Sequence, residues 1–132
     1  MKQQVTLTIA SLLSILFTTL HLTDDIVHGM FPGRLSSLPV VLILAVWLYG
    51  TLVLAERRSG HVIILVLSLL ASGLPIIHMT AEAGITAGIA KSGGAFFFVW
   101  TLIALGVTAI FSVILSARGL WRLHRSPAPP GS

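Results

Sequence analysis

The stretch that decides the fold is Val62–Ile77, VIILVLSLLASGLPII, an uncharged run that leads straight into His78-Met79-Thr80-Ala81-Glu82. Three other apolar runs, Val5–Leu22, Leu38–Ala55 and Ala95–Ala117, share its character. Each approaches the roughly 20 residues that a helix needs to cross a hydrocarbon core about 30 Å thick. Composition agrees. Of 132 residues, 55% are hydrophobic and 9% charged, well below the roughly 25% charged residues of a soluble domain, and the mean hydropathy is +0.99. These features predict an all-α integral membrane four-helix bundle, built as two antiparallel transmembrane hairpins. The expected spans are about 5–24, 38–55, 61–81 and 95–117 in one domain, residues 1–125. The Pro-rich tail, 126–132, reads as disordered.

Lys2 and the first run resemble a secretory signal only superficially. The apolar stretch is longer than a typical h-region, and no small-x-small cleavage site follows it, so it reads as an uncleaved span. Orientation follows from basic residues outside the spans. Lys2, Arg57, Arg58, Arg118, Arg122 and Arg125 fall on one side, and Arg34 and Lys91 on the other. The positive-inside rule then places both termini in the cytoplasm, and the expected location is a bacterial inner membrane. The basic pI reflects this topology and the pull of lipid headgroups. Nucleic acid is not an expected partner, because no soluble basic face is available. Absence of cysteine excludes disulfides, thiolate metal sites and a redox dithiol.

One short pattern occurs twice. His21-Leu22-Thr23-Asp24-Asp25 closes the first run, and His78-Met79-Thr80-Ala81-Glu82 closes the third. In each, a carboxylate follows an imidazole by four residues, which puts both on one helix face a turn apart. At an offset of 57 the two runs also match at Val5/Val62, Ser11/Ser68, Leu12/Leu69, Leu13/Leu70 and Thr23/Thr80, while the second and fourth runs show no comparable match, so a duplicated hairpin and chance likeness of apolar helices both remain readings. Both runs point outward, so His21 and His78 are expected at one level. His28 extends the first stripe as i+7 of His21 if the helix continues that far. The candidate site is therefore His21, Asp25, His28, His78 and Glu82, with Asp24 as an alternative to Asp25.

Ionisable groups at the edge of hydrocarbon are costly and point to function. Imidazole with carboxylate suits a divalent metal such as Zn, Mn, Fe or Ni, and equally a proton relay. A haem b held between His21 and His78 is the weaker cofactor candidate. The competing reading makes these residues interfacial anchors that only end helices and reach for water. The expected function is transport, ion or proton handling, or metal binding at an outward-facing site. The alternative is a non-catalytic accessory or scaffold subunit of a membrane complex. Nothing pairs a nucleophile with a base, so enzymatic activity is not favoured, although a zinc-activated water is conceivable chemistry here.

The remaining signals are structural. Ala104, Thr108, Ser112 and Ser116 form a small-residue stripe on the fourth run, a candidate surface for close helix packing, a homo-oligomer or a larger complex. Pro75 removes a backbone bond just before His78 and could kink the third helix. Phe96, Phe97, Phe98 and Trp100 read as an outer aromatic belt and Trp121 as an inner one. His61 and His124 read as solvated, and Gly84–Gly88 is only a weak dimerisation motif.

Overall fold

The computed structural model describes residues 2–29, 38–80, 89–90, 94–126 and 131. Its elements are four helices: α1 (Lys2–Val27), α2 (Leu38–Leu52), α3 (Arg58–Thr80) and α4 (Ala95–Arg125). No strand occurs among the described residues. Helices α1, α3 and α4 are long and apolar enough to cross a membrane, whereas α2, with 15 residues, is shorter. At 1.5 Å per residue α2 rises only about 22 Å. The apolar run that suggested a span to Ala55 includes Val53, Leu54 and Ala55, which have already left the helix and turn toward α3. That turn is tight because Gly60 backs onto the Leu54 carbonyl, where a Cβ would lie 2.0 Å from the oxygen. Conversely, α4 continues well past Ala117, carrying Arg118, Arg122 and Arg125 on its last turns.

Helix α4 packs against both α1 and α3, and α2 closes the other side of the same pair. Directions follow from cross-helix contacts. Ser14 of α1 meets Ser112 of α4, and Gln3 reaches the Leu115 carbonyl, so α1 and α4 are antiparallel. Trp47 Nε1 donates to Ser11 Oγ at 3.0 Å, and Ser11 and Thr51 hydroxyls share a hydrogen bond of 2.8 Å, which ties α2 to α1. Helices α1 and α3 run parallel and meet at their C-terminal ends through His21 and His78. Pro75 does not end α3: the helix runs through it to Thr80, and the ring faces Gly106 of α4.

The bundle has an unusual division of surfaces. Leu7, Trp47, Ile64, Ala71, Leu105 and Ala109 form a small apolar core, but Ser11, Ser14, Thr51, Ser68, Thr101, Ser112 and Ser116 are also buried there. Most of these hydroxyls donate to the carbonyl one turn back, as Ser14 does to Ala10 and Ser116 to Ser112. Meanwhile Leu, Ile, Val and Phe side chains cover much of the outside, including Val5, Leu42, Leu70, Ile103 and Phe111. The offset of 57 now has a spatial meaning. Leu7 and Ile64, Ser11 and Ser68, and His21 and His78 all occupy inward faces, and Leu38 and Ala95 both begin helices.

Candidate metal centre

His21 is fully buried on α1, at the end of the inward stripe Leu7, Ser11, Ser14 and Thr18. His78 sits at the corresponding place on α3 and is about one-fifth exposed. Its Nδ1 lies 2.8 Å from the Leu74 carbonyl, an acceptor, so Nδ1 carries the proton and Nε2 keeps its lone pair. His28 and His61 adopt the same bond to the carbonyl four residues back. His21 does not: its Nδ1 is buried without a partner among the described residues.

The two imidazoles converge tip to tip. Their Nε2 atoms are 3.4 Å apart, while the ring centroids are 4.8 Å apart with planes at 71°. Asp25, one turn beyond His21, places Oδ2 3.7 Å from each Nε2. The three atoms thus form a nearly equilateral triangle. These separations exceed the 2.7–3.2 Å of ordinary N–H···O hydrogen bonds, but they suit three ligands of a common ion. A point equidistant from the three atoms lies about 2.1 Å from each, within the Zn–N and Zn–O range of about 2.0–2.2 Å. An octahedral ion bound at about 2.1 Å would hold neighbouring ligands only about 3.0 Å apart, closer than these edges, and the two imidazoles suit a borderline ion.

Phe98 of α4 closes the cluster. Its ring is fully buried and packs 5.3 Å from His21 and 5.5 Å from His78, centroid to centroid. The reading of Phe98 as a belt residue therefore needs correction, whereas Phe96 and Trp100 do lie outside, stacked on one another with parallel rings. Phe96, Phe97, Phe98 and Trp100 spread over about 200° of the helix, because each step turns about 100°, so they cannot all face outward.

The structure brings together His21, Asp25 and His78 of the expected site residues. Asp24 and His28 form a separate pair, with His28 Nδ1 3.1 Å from Asp24 Oδ1. Helix α1 runs through Val27 and the His28 N–H still bonds the Asp24 carbonyl, but the His28 imidazole pairs with Asp24 and not with the His21 cluster. Glu82 lies outside the described residues.

Two features escaped the sequence reading. Besides Phe98, His61 is not solvated: it is 4% exposed, seated against Gly119 of α4. The stripe on α4 is divided, with Ser112 and Ser116 buried, and Ala104 and Thr108 half-buried. Comparison with protein-family models, with curated proteins and with solved structures returned no match.

Proposed function

We propose that this chain is a multi-pass membrane protein with cytoplasmic termini that reversibly binds a borderline divalent ion, zinc in the first instance, at His21, Asp25 and His78. The membrane reading is supported by the inverted distribution of side chains. Hydroxyls and imidazoles line the interior while large aliphatic residues coat the outside, as suits a bundle whose solvent is lipid. The short α2 is accommodated by local thinning or by reach of its flanking residues to the interface.

The observation that carries the metal reading is the triangle of His21 Nε2, His78 Nε2 and Asp25 Oδ2, with edges of 3.4, 3.7 and 3.7 Å. Two neutral imidazoles and one carboxylate leave a negative charge in a mostly buried site, which a divalent cation neutralises. The described residues supply three protein ligands, the number that exchangeable zinc sites use, which suits capture or delivery of an ion.

Cobalt titration of detergent-purified protein tests this. One Co²⁺ per chain, with the visible absorption of a tetrahedral centre and displacement by Zn²⁺, is the expected result. Absence of any such band at stoichiometric cobalt would rule the reading out.

A further inference from the structure

At the opposite end of the bundle lies a second polar recess that plays no part in the metal centre. It is a cavity of about 240 Å³ between the start of α1, the α2–α3 turn and the last turns of α4. Its inner wall is His61, whose ring fits only because residue 119 is glycine. A Cβ there would come within 2.3 Å of the imidazole Cδ2 and 2.4 Å of Nε2. His61 Nδ1 donates to the Arg57 carbonyl at 3.0 Å, so Nε2 is the ring nitrogen left to meet a ligand in the recess.

The rest of the lining carries both signs of charge. Glu56 and Arg122 face the same cavity, yet neither forms an ion pair with the other or with any described residue. Gln3 and Gln4 direct their amide NH₂ groups to the Leu115 and Ala55 carbonyls, and their Oε1 atoms remain acceptors. A carboxylate, an imidazole, amide oxygens and a guanidinium lining one recess match a small zwitterion: an ammonium with N–H groups, linked to a phosphate.

We propose that this cavity holds the headgroup of an ethanolamine phospholipid, its ammonium on His61 Nε2 and Glu56 and its phosphate on Arg122. The assignment rests on the membrane reading, but not on the metal centre. A lipid source fits because the recess opens where apolar helices give way to Arg57, Arg58, Arg118 and Arg122, with partly exposed Leu123 and neighbouring Trp121 beside it. Trp121 itself is held under the Arg125 guanidinium, 4.5 Å from its ring centroid. A purely anionic headgroup would meet repulsion from Glu56. A choline headgroup has no N–H to offer His61.

The test is competitive retention of ethanolamine, choline and glycerol phospholipids of identical acyl chains by the full-length protein, read by native mass spectrometry. The ethanolamine lipid should be retained about tenfold better than either competitor, the discrimination expected of charge-assisted hydrogen bonds. Glu56→Gln and Arg122→Gln, at exposed positions, should each remove that preference, with helicity and monodispersity unchanged. Gly119→Ala, which displaces the His61 ring, should do the same. Equal retention of the three lipids, or a preference untouched by both Gln variants, overturns the proposal. Displacement by soluble phosphoethanolamine at micromolar concentration overturns the lipid assignment in favour of a soluble ligand of the same chemistry.

Discussion

His21 Nε2 and His78 Nε2 lie 3.4 Å apart although 57 residues separate them, and 57 is also the offset at which α1 and α3 align face to face. The contact is therefore a consequence of two similar helices running parallel, each ending its inward stripe in an imidazole. Asp25 of α1 contacts both rings.

If the triangle binds one ion, its members should fail together. His21→Ala and His78→Ala should each weaken Zn²⁺ or Co²⁺ affinity by more than about 100-fold, beyond the 10–100-fold of changes around a ligand. The double variant should be no worse than either single one. Asp25→Asn keeps the shape and loses the charge, and should also abolish tight binding. Isothermal titration on matched detergent samples decides this. Additive effects limited to stability would make the cluster an interfacial anchor.

Phe98 should matter for both packing and exchange. Truncation to Ala removes a fully buried ring from against His21 and His78, and should cost about 3–5 kcal/mol of stability. Phe98→Leu refills most of the volume and should cost less, while still speeding metal release to a chelator. A release rate identical to wild type in Phe98→Leu would show that the ring does not guard the site.

Much of this arrangement is legible in the chain, for identifiable reasons. The positions His61, Ile64, Ser68, Ala71, Pro75 and His78 recur at three- and four-residue spacing, and Gln4, Leu7, Ser11, Ser14, Thr18, His21 and Asp25 repeat the pattern. That seam identifies the inward faces and explains why the two histidines meet. Helix α1 runs through Val27, as the stripe requires, yet the His28 imidazole pairs locally with Asp24, a choice of partner that spacing alone does not report. The burial of His61 depends on a missing side chain at Gly119 on another helix, and no periodicity in α3 reports that. Hydropathy likewise cannot see that α2 ends at Leu52, because the residues of the turn are themselves apolar.

The stripe on α4 makes a graded prediction. Ser112 is fully buried beside Ser14, with the hydroxyls 3.4 Å apart, so Ser112→Leu should overpack the interface and cost about 1–3 kcal/mol. Thr108 is half-buried and bonds its own helix at the Ala104 carbonyl, so Thr108→Leu should be milder. Val107→Leu and Ile110→Leu, on the outward face, should be near neutral. Thermal unfolding in detergent ranks the four. Thr108→Leu as damaging as Ser112→Leu would mean that another chain packs against the exposed half of the stripe.

Orientation is the last consequence to test, and the level of both proposed sites in the membrane depends on it. Reporter fusions after Met30 and Ala90 should be active outside the cytoplasm, and fusions after Arg58 and Ser132 inside it. The basis is the six-to-two distribution of Lys and Arg between the two sides, with acidic residues contributing little. Helix geometry adds a second requirement. His21 and His78 touch at the C-terminal ends of α1 and α3, and Arg57, Arg58 and Arg122 gather at the other end. The metal centre must then face away from the cytoplasm and the His61 recess toward it. Moving charge should move the protein. Arg57→Gln with Arg58→Gln, combined with added lysines after Gly33, should produce mixed fusion activity. Externally added Zn²⁺ should protect a cysteine placed at position 78 from an impermeant maleimide only in the original orientation. Cytoplasmic activity at Ala90 in the unaltered chain would refute the four-span topology, since α3 and α4 could not then both cross.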